Sequence, residues 1–365
     1  MPIRILQITS SLNKGSGVAN VILNWHRNIN RDKVQFDYLY FSDTPVIFEQ
    51  EIKDLGGSVY KLPYPSVRNL YIFIKSIVKF FKFHRYETIH SHLTQFNFFF
   101  FPIAKFFGVK NILLHAHTIK YSNKFINGLR NRLMLGCVRY FITHKLACSD
   151  KSGAVLFGKN SKFTIINNAI EIDKFKYNPI TREEFRTKLN INDNFVIGHV
   201  GRFTDEKNHI FIIDIFLSIY KTNNDARLIL VGTGVLEDKI KNYVKCLNLE
   251  NNVIFTGVIK DVYNFYQVMD CFIFPSKHEG FGIVAIEAQS CGLPCLISDA
   301  VPENVNVVNT TVASLNSPPN KWAELVCQKM KTFKRKDESN EIIKAGFDIK
   351  TVAEKIENIY MEIEK

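Results

Sequence analysis

Two glutamates eight residues apart, Glu279 and Glu287, bracket the segment best suited to chemistry, which runs His278-Glu279-Gly280-Phe281-Gly282-Ile283 and on to Ser290, Gly292 and Pro294. Cys271 to Pro275 predicts a strand before it, and Ile283 to about Ser290 a helix after it, stopped by Gly292 and Pro294. Glu279 then falls in a glycine-flanked turn and Glu287 in the helix. Counted as eight helical residues, the spacing sets the carboxylates roughly 12 Å apart and turned by about 80°. A hydrolytic carboxylate pair works across one glycosidic bond at roughly 5 to 9.5 Å. The longer span suits one extended ligand with two polar ends, such as a nucleotide sugar. Gly280 and Gly282 bare backbone N–H groups and a helix start to which a diphosphate can bind. Taken alone, the pattern is more simply an amphipathic helix with two solvated acids, because glutamate is a good helix former and common on surfaces.

A second segment changes that balance. Val196 to Val200 predicts a buried strand, followed by Gly201-Arg202 and a basic loop to Lys207-Asn208, where a helix begins. Arg202 and Lys207 would sit at the carboxyl end of the strand, the edge at which open α/β sheets bind ligands. Two cations beside a helix start form a clamp for a diphosphate.

Together these segments resemble the C-terminal domain of glycosyltransferase family 4, the retaining GT-B enzymes. The resemblance rests on the Glu279 to Glu287 element, on Gly201-Arg202 to Lys207-Asn208, and on Leu230 to Gly234, Val253 to Gly257, Asp270 and Pro275-Ser276 in order. It extends through the first half, most closely to capsular and exopolysaccharide members, in Asn24 to Tyr38, Ile89-His90-Ser91-His92 and His115-Ala116-His117-Thr118. The resemblance implies a GT-B fold of two Rossmann-like doubly wound α/β domains facing across a cleft. It also implies that Gly17, in Lys14-Gly15-Ser16-Gly17-Val18-Ala19, lies where a helix start faces the donor diphosphate. Many members carry a Glu where this chain has Ala19. His117 matches a histidine near the transferred sugar, acting through its ring or its backbone carbonyl. His90, His92 and His115 are expected to be structural.

Length and composition agree with two domains. The chain has 365 residues and a 46% hydrophobic content, too long for a single core. Expected boundaries are 1–168 for the acceptor-side domain, 169–345 for the nucleotide-sugar domain, and 346–365 for a segment whose amphipathic stretch Thr351 to Ile363 packs back on the first. Residues 1–170 hold 23 Lys and Arg against 8 Asp and Glu, while the remainder holds 24 against 27. The net +12 therefore resides in the first domain. Its segment Asn69 to Arg85 interleaves aromatics and cations, and reads either as a helix lying on an anionic membrane surface or as a sheet-covering helix with solvated lysines. No zinc-finger, helix-turn-helix or RNA-binding signature accompanies the charge, so nucleic acid is not an expected partner. Phe96 to Val109 contains Asn97, Pro102 and Lys105 and is too short to span a bilayer; it reads as a buried helix. Met1 to Thr9 enters a strand without the features of a signal peptide. Seven cysteines without a CxxC pair point to a reducing cytosol.

The resulting expectation is a cytoplasmic enzyme, peripheral on the inner face of the membrane. It moves a hexose or N-acetylhexosamine from a nucleotide diphosphate sugar, by resemblance a UDP-sugar, to a lipid-linked or growing surface saccharide. Arg202, Lys207, Glu279 and His117 are the expected catalytic residues, and Gly17, Gly201, Gly280, Phe281, Gly282 and Glu287 the donor contacts. No metal or cofactor is expected, since no Asp-x-Asp pair stands in a metal position. The alternatives are a GT-B epimerase or phosphorylase, and a non-catalytic partner of a membrane transferase, which Ala19 keeps open.

Overall fold

The computed structural model describes residues 2–13, 16–41, 48–118 and 125–364. Lys14 and Gly15 lie outside them. Chain contacts form two compact units, Met1–Ala169 with Ile349–Lys365, and Ile170–Asp348.

The first unit is built on seven parallel strands: β1 (Ile3–Thr9), β2 (Val34–Tyr40), β3 (Val59–Lys61), β4 (Thr88–Ser91), β5 (Asn111–Ala116), β6 (His144–Ala147) and β7 (Thr164–Ile165), in the order β3-β2-β1-β4-β5-β6-β7. β1 and β2 are almost wholly buried, as parallel strands covered on both faces must be. One face packs Phe73, Ile77, Phe100 and Phe101 from the helices Leu70–Phe83 and Asn97–Phe106. The other packs Ile22, Leu23 and Trp25 of the helix Gly17–Asn28 against Val352, Ile356 and Tyr360 of the helix Ile349–Ile363. The C-terminal helix thus returns to the first sheet, as expected.

Both surface-covering helices show one buried stripe and one wet one. Leu70–Phe83 buries Phe73, Ile77, Phe80 and Phe81 and leaves Tyr71, Ile72 and Phe83 exposed beside Lys75, Lys79 and Lys82. The helix Asn97–Phe106 corrects the expectation of a buried helix. Phe106 is 84% exposed and Phe98 also faces outward, because a helix laid on one sheet face can turn only one stripe inward.

The second unit has six parallel strands: β8 (Val196–Val200), β9 (Arg227–Val231), β10 (Val253–Gly257), β11 (Cys271–Phe274), β12 (Cys295–Ser298) and β13 (Thr310–Ala313), in the order β10-β9-β8-β11-β12-β13. Its core gathers Ile212, Phe216, Leu228, Leu230, Ile273 and Trp322. Each sheet reverses its winding once, between β1 and β4 and between β8 and β11. Such switch points open a crevice at the carboxyl ends of the two central strands. Among the described residues, no helix is long and apolar enough to cross a membrane.

Candidate functional site

The sequence segments singled out above leave β8 and β11, the neighbours at the second switch point. After β8 the Gly201 N–H donates to the Val231 carbonyl at 3.0 Å, so the loop stays alongside β9. Glycine is required at the crossing: a Cβ on Gly232, at φ +133°, would lie 2.1 Å from the Gly201 oxygen. Phe203 is fully buried and anchors the loop, leaving Arg202 exposed. A single 3-10 turn, Asp205–Lys207, leads to Asn208 at φ +59° and the helix His209–Tyr220. Asn tolerates that left-handed conformation better than most residues.

Three contacts stitch this loop to the one after β11. The Asn208 amide donates to the Pro275 carbonyl at 3.2 Å, Lys277 N–H to the Glu206 carbonyl at 2.8 Å, and the Lys277 ammonium meets Asp205 at 2.7 Å. In the space so closed, Lys207 Nζ lies 2.5 Å from Glu279 Oε1, with the two side chains 19% and 11% exposed. The same ammonium stands 5.0 Å over the Phe274 ring. Arg202 takes part in no ion pair among the described residues.

Glu279 itself is not helical. The helix starts at Ile283, after Gly282 in the left-handed region at φ +101°, and Phe281 buries its ring against Phe347 at 5.6 Å. The turn therefore bends Glu279 toward Lys207, and the straight-helix separation expected from the spacing does not describe this site.

Glu287 does sit in the helix Ile283–Ser290, and its Oε2 accepts a 2.7 Å hydrogen bond from the Tyr266 hydroxyl. Burial pushes its carboxyl up to about 7, and the Tyr266 bond pulls the other way. Tyr266 gave no signal in the sequence, because it comes from another helix, Val262–Val268. Arg335 holds that helix in place by donating to the carbonyls of Tyr266, Gln267, Met269 and Cys291. Asp270, recognised only as part of the ordered series, accepts from Arg182, Arg186 and the Val196 N–H, and so ties the start of β8 to that of β11.

Arg202, Lys207, Gly201, Glu279, Gly280, Phe281 and Gly282 thus lie in the loops at the carboxyl edge of the second sheet, and Glu287 lies just over one turn into the helix that follows. Gly17 and His117 belong to the first. Gly17 opens its helix behind Ser16, whose hydroxyl accepts from Ala19 N–H at 3.2 Å, and the space where a Gly17 side chain would project is open. His117 follows β5, its Nε2 2.8 Å from His92 Nδ1, and burial pushes its ring down to about 3. It is neutral at pH 7.

His90, His92 and His115 are buried around Trp25, and one nitrogen from each lies within 4.8 Å of the others. The His90 and His115 rings lie 5.4 Å apart and 9° from parallel.

Comparison with known proteins bears on the family and the fold. Residues 15–174 match the model described as Glycosyltransferase Family 4, and residues 181–348 that described as Glycosyl transferases group 1. The chain is 29% identical over 372 residues to the putative glycosyltransferase EpsF of Bacillus subtilis, covering 98% of this chain and 96% of EpsF. It is 26% identical over 307 residues to the UDP-Gal:alpha-D-GlcNAc-diphosphoundecaprenol alpha-1,3-galactosyltransferase of Escherichia coli, covering 79% and 78% of the two chains. The crystal structure of Anabaena HepE with UDP and glucose superposes with a TM-score of 0.80 at 21% identity, over 98% of this chain and 99% of that one. With both halves matched in order and the two-sheet GT-B fold in place, the chain belongs to glycosyltransferase family 4 and is a retaining GT-B glycosyltransferase.

Proposed function

We propose that this glycosyltransferase moves a hexose or N-acetylhexosamine from a UDP-sugar to a lipid-linked or growing surface saccharide, in capsule, exopolysaccharide or O-antigen synthesis. The observation that carries this reading is the Lys207–Glu279 pair beside exposed Arg202 at the second switch point. The donor is supported by HepE, solved with UDP and glucose, and the acceptor by the E. coli relative, whose name specifies a diphosphoundecaprenol-linked saccharide.

The donor's sugar–phosphate bond breaks as negative charge collects on the departing diphosphate. Arg202 offers it a planar fork and Lys207 a compact point charge. Lys207, held by Glu279 and the Phe274 ring, acts without reorganising, which is where preorganised charge contributes most, and the two cations fill the place a divalent cation would otherwise take. Glu279 accepts hydroxyls of the sugar while holding Lys207 in position. Gly201, Gly280 and Gly282 let backbone come close to the donor, and the buried Phe281 ring fixes the turn that does so. Gly17 keeps the start of its helix open to an anion, and His117 contacts the transferred sugar. Glu287 accepts from the ribose hydroxyls. The experiment that tests the reading is mass spectrometry of turnover across a panel of nucleotide sugars with EDTA present. Cleavage of one or a few UDP-sugars is expected, and absence of cleavage or transfer with every donor would refute it.

The Glu287 environment adds a pH signature. A carboxylate accepts from both ribose hydroxyls with the strength of a charged acceptor, whereas a protonated acid offers one neutral carbonyl oxygen and a competing O–H, and burial pushes the Glu287 carboxyl up to about 7. Donor binding should therefore release a proton below about pH 7, and affinity should fall up to about tenfold per pH unit below it. A UDP-sugar is the ligand to use, since its diphosphate diester does not titrate in this range. Calorimetry in buffers of different ionisation enthalpy should show that release, and Glu287→Gln should abolish it. Equal affinity at pH 5.5 and 8 in the wild type would remove Glu287 from the ribose.

For the membrane, the proposed contact is the helix Leu70–Phe83, which exposes Tyr71, Ile72 and Phe83 beside Lys75, Lys79 and Lys82. Each cation near an anionic surface contributes on the order of 1 kcal/mol. The protein should sediment with phosphatidylglycerol vesicles at low salt and be released at high salt. Failure to sediment at low salt would eliminate this contact.

A further inference from the structure

The first switch point carries a hydrogen-bonded chain of five side chains. His117 Nε2 lies 2.8 Å from His92 Nδ1, and His92 Nε2 lies 2.8 Å from Gln7 Oε1. The Gln7 amide donates at 3.0 Å to the Tyr360 hydroxyl, which lies 2.6 Å from His90 Nδ1. The register brings these groups together. Gln7 of β1 is the cross-strand partner of His90 in β4, and the His92 N–H, just past β4, donates to the Ile8 carbonyl. Tyr360 comes from the C-terminal helix and is fully buried, as are Gln7 and His90.

Every imidazole in this chain is neutral at pH 7, because burial pushes His90 and His92 well down and His117 to about 3. A neutral ring carries one donor and one acceptor nitrogen, so one fixed group sets the polarity of all the others. Gln7 is that group. Its carboxamide oxygen only accepts, so His92 carries its proton on Nε2 and accepts at Nδ1. His117 must then carry its proton on Nε2, which leaves Nδ1 as a bare acceptor. On the other side the Gln7 amide donates to Tyr360, and the phenol proton goes to His90 Nδ1. No donor meets a donor anywhere along the chain.

His117 also lines a cavity of ≈ 220 Å³ with Ser10, Val18, His92, Phe96 and Thr118, at the carboxyl ends of β1, β4 and β5. We propose that Gln7, acting through His92, is a positioning residue that locks His117 in the Nε2–H tautomer, so that Nδ1 accepts a hydrogen bond from a carbohydrate hydroxyl in this cavity. A neutral acceptor selects a hydroxyl donor. It is unsuited to a phosphate oxygen, which is itself an acceptor, and a ring this hard to protonate is not a general acid. The assignment of a sugar to the cavity rests on the transferase reading above; the tautomer does not.

The reverse setting of the Gln7 amide is the competing arrangement. It would invert each bond and present Nδ1–H to the cavity, so the two are distinguished by observing the ring nitrogens directly. Long-range ¹H–¹⁵N NMR on the full chain with ¹⁵N-histidine, with His117 signals assigned from His117→Gln, reads the tautomer without any substrate. A single Nε2–H tautomer is expected in the wild type, and mixed tautomers in Gln7→Leu. Tyr360→Phe keeps Gln7 but frees its amide to turn, and should also mix them, so the test survives if Gln7→Leu fails to fold. An Nδ1–H tautomer in the wild type would overturn the proposal, as would unchanged tautomers in both folded variants. In donor turnover, Gln7→Leu should cost up to about tenfold, the size of one neutral hydrogen bond, and nothing further in a His117→Ala background. Additive losses in the double variant would also overturn it. Loss of turnover in every protein, wild type included, with the tautomer as expected, would count against the transferase reading alone.

Discussion

Lys207 and Glu279 can meet only because β8 and β11, distant in sequence, are neighbours in the sheet. The pair is mostly shielded from water, so neither charge is tolerable alone: truncating one partner of such a pair typically costs about 3–5 kcal/mol. That constraint explains much of the local architecture. The Asn208 and Lys277 contacts hold the two loops at the separation the pair needs. The Gly282 turn and the buried Phe281 ring hold Glu279 off the helix axis. An ammonium kept beside a carboxylate and over the Phe274 ring is fixed in place before any diphosphate arrives.

The same architectural device appears in both units with different chemistry. At the β8/β11 switch point it gathers charge, in Arg202, Lys207 and Glu279. At the β1/β4 switch point it gathers neutral hydrogen-bonding groups, Gln7, His90 and His92, beneath Trp25. The first suits an anion and the second a hydroxyl-rich ligand. The C-terminal helix closes the second arrangement by supplying Tyr360, which is one reason its return to the first sheet matters beyond packing.

How much of this could be read from the sequence depended on how local each feature was. Strand-helix boundaries at Val196–Val200, Cys271–Phe274 and Ile283–Ser290 follow from apolar runs bounded by Gly and Pro, and those elements stand where expected. The segments that carry the second-half candidates were legible because they adjoin two strand ends. Their pairing was not, since spacing along one segment cannot report that Glu279 turns toward Lys207, 72 residues away. Tyr266 beneath Glu287, Arg335 across four carbonyls, and the Gln7 to Tyr360 contact are equally non-local. The histidines were visible as residues but not as a directed chain, because their polarity is set by a glutamine on a different strand.

The central claim is that Arg202 and Lys207 stabilise the charge that develops on the leaving diphosphate. It is tested most directly by the rate of donor cleavage, under saturating UDP-sugar, in Arg202→Ala and Lys207→Ala proteins whose folding has been checked by thermal melting. Removing a preorganised donor of this kind costs about 2.7 to 4 kcal/mol in the transition state, so each variant should turn over roughly 100- to 1,000-fold more slowly than the wild type. Folded variants that cleave the donor at the wild-type rate would contradict the account.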